Sequence, residues 1–151
     1  MIRQFEIISI NTTNSKKVKL QFMKNPPFMS ADERKALAES FLGKTVTVKI
    51  DRPIGYIHRK EKYDLVYPIN YGYIPGVLGG DGEELDVYLL GVDKPVEEYS
   101  AVIIGIAYRE NDVEDKLVAA PAGMLFTASE IESAIHFQEQ YYKTHIRTAN
   151  L

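Results

Sequence analysis

The sequence predicts an α+β domain: a series of short β-strands with a capped helix before and after them. Two observations carry this prediction. Capping boxes at Ser30-Ala-Asp-Glu33 and Thr127-Ala-Ser-Glu130 each open a stretch of apolar residues at helical spacing. Between them the apolar residues alternate or run in short blocks, broken by Gly, Pro and Asn, which is the pattern of strands and turns. With 151 residues, 45% hydrophobic and 26% charged, the chain is expected to form a single domain with a sizeable core.

The elements follow in order. Residues 1–28 hold Arg3, Lys16, Lys17, Lys19 and Lys24 against Glu6 alone, so they are basic while the remainder is acidic. Phe5–Ile10 and Val18–Phe22 read as short strands around a polar turn, ended by Asn25-Pro26-Pro27. This segment is expected to be an N-terminal extension or an added hairpin, with the main domain at 29–151. A helix follows Ser30, with Ala36, Leu37 and Phe41 on one side, up to Gly43. Thr45–Ile50 alternates as a strand, Asp51–Gly55 is a turn, and Tyr56–Arg59 returns as a second strand. Lys60 and Lys62 read as an exposed charged hairpin end. Tyr99–Tyr108 is a buried strand, and Lys116–Pro121 begins another. The helix opened by Thr127 carries Ile131, Ala134, Ile135, Tyr142 and Ile146 broadly on one side.

The chemistry is concentrated between Tyr67 and Leu90. Asp81, Glu83 and Asp86 fall within six residues, and Glu84 adds a fourth carboxylate. Carboxylates this close repel one another, so they must be hydrated, protonated or bridged by a cation. Leu85, Val87 and Leu89 share one face of a strand, which puts Asp86 and Tyr88 on the other. All-oxygen ligands with no nearby His or Cys suit a hard cation, most simply Mg²⁺. An EF-hand is excluded, because its sixth and twelfth positions would be Asp86 and Val92. The bland alternative is an acidic turn between two strands. A second acidic cluster, Glu110 to Asp115, precedes Lys116.

Composition narrows the field. A net charge of −3 disfavours generic nucleic-acid binding. The absence of cysteine excludes disulfides, thiolate metal sites and a Cys nucleophile. Three scattered histidines give no zinc motif. No run is long enough to span a bilayer, and Phe5–Ile10 is too short for a signal peptide. The expectation is a cytoplasmic protein with a small-molecule substrate, no nucleic acid, no membrane, and room for a homo-oligomer.

Tyr67-Pro-Ile-Asn-Tyr-Gly-Tyr-Ile-Pro75 followed by Asp81-Gly-Glu-Glu-Leu-Asp86 resembles the soluble, Mg²⁺-dependent, single-domain inorganic pyrophosphatases, as does Lys116-Leu-Val-Ala-Ala-Pro121. The resemblance covers roughly residues 45–146. It implies that the strands close into a small, highly curved, antiparallel, OB-like barrel flanked by helices, including a long C-terminal one. It implies Mg²⁺-dependent hydrolysis of pyrophosphate, with Asp81 and Asp86 as metal ligands and Glu83 as the carboxylate that orients the attacking water. Asp112 and Asp115 are the expected further metal ligands. Glu114 is their rival, because on a strand it shares a face with Lys116. Arg59, Tyr71, Lys116, Tyr142 and Lys143 are the expected phosphate ligands. The chain departs from the family at Glu83, where the family has aspartate. It departs again in the shortened hairpin Lys49–Arg59, which lacks the family's lysine and glutamates. Two alternatives are hydrolysis of another phosphoanhydride, such as a nucleotide or polyphosphate, and a non-catalytic barrel that binds phosphate or oligonucleotide.

Overall fold

The computed structural model describes residues 29–110, 112 and 114–150. The strands and the extension expected in residues 1–28 lie outside the described residues. The first helix, α1 (Ala31–Ser40), opens with the expected capping box: Ser30 accepts from the Glu33 N–H, and the Glu33 side chain accepts from the Ser30 N–H. Seven strands follow: β1 (Thr45–Arg52), β2 (Ile57–Arg59), β3 (Asp64–Val66), β4 (Asn70–Leu78), β5 (Glu84–Leu89), β6 (Glu98–Arg109) and β7 (Lys116–Ala120). The second helix, α2 (Ala128–Glu139), and a last strand, β8 (Thr144–Thr148), complete the domain. No helix among the described residues is long and apolar enough to cross a membrane.

Five strands close into a barrel in the order β1-β4-β5-β7-β6, with β6 returning to β1. The barrel is mixed rather than wholly antiparallel, because β5 and β7 run parallel. Parallel neighbours need a crossover, and the twelve-residue β6 supplies it. The first half of β6 pairs with β1, and its second half pairs with β8 on the same edge. A register shift between Ile103 and Gly105 bends the strand.

Two further expectations are corrected. Tyr56–Arg59 does not pair with β1, whose edges are both occupied by β4 and β6. Instead β2 pairs with β3 in a separate two-stranded sheet, entered through Gly55 at a φ of 92°. The C-terminal helix is not long: it spans twelve residues and stops at Glu139. Ile146 lies in β8, where Thr-His-Ile-Arg-Thr also alternates, and the open edge of β6 decides between the two patterns.

The core is split by strand alternation. Leu85, Val87, Leu89, Leu117 and Ala119 join a cluster that also takes Ala38 of α1. Their neighbours Tyr88, Leu90, Val118 and Ala120 join a second cluster beneath Ile131 and Ile135 of α2. An aromatic chain runs through the second cluster, from Tyr67 to Tyr71 to Tyr88, with Phe137 edge-on to Tyr67 and Tyr88.

β1 and β4 approach tightly at Gly72, which sits opposite Ile50. A Cβ there would sit 1.7 Å from the Lys49 carbonyl oxygen, which is backbone and has no room to move aside. Gly72→Ala is therefore expected to part the two strands. The cost should be at least 3 kcal/mol, the upper range for overpacking, seen as a Tm drop of roughly 10 °C. A melting curve that overlays the wild type would show that this contact does not constrain the barrel.

Candidate active site

A cavity of about 210 Å³ opens where several elements end together. β1 contributes Arg52, β2 His58, and the β2–β3 turn Lys60. Tyr71 comes from β4, Asp86 from β5, Arg109 from the end of β6 and Lys116 from the start of β7. The β6–β7 loop supplies Glu114, α2 supplies Gln138, and the following turn supplies Tyr141 and Tyr142. Four of these side chains are cationic and two are carboxylates.

Lys116 is the centre of charge. Its side chain is 4% exposed, and Nζ donates to Asp86 Oδ2 at 2.6 Å and to Glu114 Oε1. Burial works against its charge, but Tyr71, Asp86 and Glu114 together hold its pKa well above the ordinary lysine value. Burial also opposes ionisation of Glu114. A hydrogen bond with Asp81, together with Lys116 and Arg109, outweighs this and holds Glu114 at about 2. Asp81 moves the other way: burial and the neighbouring Glu114 push it up to about 8. The two carboxyls thus share one proton at neutral pH.

Arg109 is equally enclosed. Glu139 grips it from both sides, Nε to Oε1 at 3.0 Å and Nη2 to Oε2 at 2.7 Å. Nη1 reaches Asp112 at 3.1 Å and Glu114 at 3.5 Å. The guanidinium lies 3.6 Å from the Tyr142 ring centre. Glu139 also accepts from the Tyr88 hydroxyl at 2.5 Å and the Thr144 hydroxyl at 2.6 Å. Arg52 is half-buried above Tyr56, Tyr67 and Tyr71. It donates to the Tyr67 oxygen, and Tyr67 in turn donates to Gln138 Oε1 at 2.6 Å. His58 lies 3.3 Å from Arg52, and burial followed by the charges of Arg52 and Lys60 lowers its pKa below 6.5.

The structure gathers Tyr71, Asp86, Glu114, Lys116 and Tyr142 around the cavity, with Asp81 joined through Glu114. It does not bring the other expected residues there. Arg59 pairs with Asp64 at the surface, its side chain 72% exposed, because His58 takes the cavity-facing position on β2. Asp115 points away from Lys116 and accepts from Arg34 Nε and the Arg109 N–H, each at 3.0 Å. Glu114, one residue earlier, shares the Lys116 face, as strand alternation requires. Asp112 turns to Arg109, while its carbonyl oxygen takes Arg34 Nη1 at 2.8 Å. Lys143 is exposed, and Glu83 is exposed with its N–H on Asp81 Oδ1 at 3.0 Å. Lys60, read from sequence as a solvated residue, lines the cavity. Arg52, Arg109, Gln138 and Glu139 were not anticipated. The available signal was a single charge closing a long apolar run at Arg109.

Among the described residues no three carboxylates or imidazoles converge to hold a metal ion by themselves. Mg²⁺ does not require three, since it binds through one or two carboxylates, water and substrate phosphates. Asp81 and Glu114 are neighbouring carboxyls joined by a hydrogen bond, and a cation between them would relieve the same repulsion. The residues therefore fit one divalent cation on Asp81 and Glu114, with Asp86 adjacent through Lys116.

A family model described as inorganic pyrophosphatase matches residues 9–147, reaching upstream of Met29 into the segment left uncovered by the sequence motifs. The inorganic pyrophosphatase of Saccharolobus solfataricus is 34% identical over 102 residues, covering 64% of this chain and 59% of that protein. That of Rhodospirillum rubrum is 28% identical over 115 residues, covering 72% and 62%. The chain thus spans about three fifths of the length of these curated relatives. Among solved structures, the inorganic pyrophosphatase of Ehrlichia chaffeensis superposes with a TM-score of 0.52 at 23% identity, covering 72% of this chain and 88% of that one. That of Coxiella burnetii gives 0.51 at 19% identity, covering 71% and 86%. At these identities the two structures speak for the fold.

Glu139 yields a pH test. Burial raises its pKa, but Arg109, Thr144 and Tyr88 bring it below the ordinary 4.5. A depressed carboxylate contributes stability that is present above its unfolded pKa and is lost as pH falls through the folded one. Glu139→Gln should lower Tm by roughly 10 °C near pH 7, the cost of breaking a buried pair. That gap should stay level down to about pH 5 and narrow below 4.5. A gap that is constant from pH 7 to pH 3 would mean that the pair carries no charge-dependent stability.

Proposed function

The chain belongs to the inorganic pyrophosphatase family, and on that footing we propose that it hydrolyses pyrophosphate in this cavity, P₂O₇⁴⁻ + H₂O → 2 HPO₄²⁻. The observation that carries the proposal is the charge lining: Arg52, Lys60, Arg109 and Lys116 against Asp86 and Glu114, a cradle for a polyanion. A nucleic-acid groove would gain nothing from carboxylates at the same wall.

Asp81 and Glu114 would hold one Mg²⁺, with Asp86 beside it. That ion would neutralise phosphate charge and acidify water. The rest is work for the protein's own side chains. Arg52 and Lys116 donate to phosphoryl oxygens, Arg52 with the fork that suits two of them. The Tyr71 hydroxyl is buried, and its pKa is raised so far that it stays a donor. Arg109, clamped by Glu139 and Tyr142, adds a fixed positive potential without having to reorganise. Glu83 stands outside the cavity lining but next to Asp81, whose Oδ1 accepts its N–H at 3.0 Å, and we assign it to orient the attacking water from the Asp81 side. Phosphoryl transfer depends mainly on such positioning and charge neutralisation.

Phosphate release from pyrophosphate, measured with and without Mg²⁺, is the direct test. Arg52→Ala should lower kcat/KM by about 10²–10³, as for loss of one preorganised donor. Arg59→Ala should stay close to wild type, since exposed ion pairs contribute little. A folded protein with no Mg²⁺-dependent release would sink the hydrolase reading. Equal losses in both variants would return Arg59 to the site.

A further inference from the structure

Two tyrosines at the mouth of the cavity have no task in pyrophosphate hydrolysis. Tyr63 comes from the β2–β3 turn, and Tyr141 follows α2. Their ring centres are 5.3 Å apart with planes 25° off parallel. Both stay open to solvent, at 39% and 51% exposure. Tyr141 and Lys60 both line the cavity, and the Lys60 ammonium lies 5.8 Å from the Tyr63 ring centre. A stacked aromatic pair is thus joined to a polyanion cradle and left half uncovered. Large rings are usually buried for their area. Pyrophosphate offers only charged oxygens and has nothing to stack.

We propose that the Tyr63–Tyr141 pair is a base-stacking subsite and that the cavity accepts a free nucleoside di- or triphosphate. The phosphates lie toward Arg52 and Lys116, and the base lies on the exposed face of the tyrosine pair. The inference rests on reading the cavity as a phosphoanhydride site, and it adds the class of substituent carried by the distal phosphate. Stacking on tyrosine accepts any base, because every base has a π-face. The site therefore selects for the presence of a base rather than its identity.

The experiment is calorimetric titration of the full chain, with Mg²⁺ present, using ADP and tripolyphosphate, alongside phosphate release from pyrophosphate. Tyr141→Ala and, independently, Tyr63→Ala should weaken ADP binding roughly 10- to 100-fold, the range that one base-on-aromatic stack supplies. Tripolyphosphate binding should be unchanged, and Tyr141→Phe should retain ADP. Absence of ADP binding in the wild type overturns the proposal, as does equal weakening of ADP and tripolyphosphate. If pyrophosphate is hydrolysed but ADP binding ignores both tyrosines, the subsite fails and the hydrolase reading stands. Tyrosine-dependent ADP binding without pyrophosphate hydrolysis gives the reverse result and supports the subsite.

Discussion

A buried ammonium imposes the arrangement on which the rest depends. Lys116 opens β7, and β7 runs parallel to β5 with Val87 opposite Leu117. That register sets Asp86 beside Lys116, one residue earlier on both strands, and the two side chains meet at 2.6 Å. A lysine that is 4% exposed keeps its charge only if carboxylates meet it. Asp86 and Glu114 do so, and Glu114 in turn holds Asp81. The strand pairing that closes the barrel is therefore the pairing that assembles the site. The barrel end and the charge cluster are one constraint seen at two scales.

The charge balance has a local logic that the net charge of −3 conceals. Carboxylates outnumber cations over the chain, yet the cavity wall holds twice as many cations as carboxylates. The two arginines are fixed by partners outside the cavity lining: Arg109 by Glu139, Arg52 by Tyr67. The partners hold the charges in place, so a polyanion entering the cavity meets donors that are already oriented. This is preorganisation in its electrostatic sense.

Much of this was legible in the sequence, and the gaps have physical causes. Strand alternation placed Asp86 opposite Leu85 and Val87, and it put Glu114 on the Lys116 face. The choice of Asp115 over Glu114 gave way to that same alternation, since adjacent residues on an extended chain point apart. Arg59 failed for the same reason, because His58 took the inward position. Arg52 was hidden because an arginine between Asp51 and Pro53 looks like turn chemistry, and only the three tyrosine rings beneath it draw it inward. The parallel β5–β7 pair left a faint mark only in β7, where Leu117–Ala120 is apolar on both faces. The end of α2 could not be read, because Tyr142 and Ile146 continue its spacing. The edge of β6 that captures Thr144–Thr148 is set by residues far away in sequence.

The short loop between β6 and β7 touches two different parts of the molecule. On one side Asp115 and the Asp112 carbonyl hold Arg34 of α1. On the other, Glu114 reaches into the cavity. Because neighbouring residues of an extended chain face opposite ways, Glu114 and Asp115 carry one contact each, to the cavity and to α1. The seating of α1 on the barrel and the placement of the Glu114 carboxylate therefore share a single anchor at the start of β7.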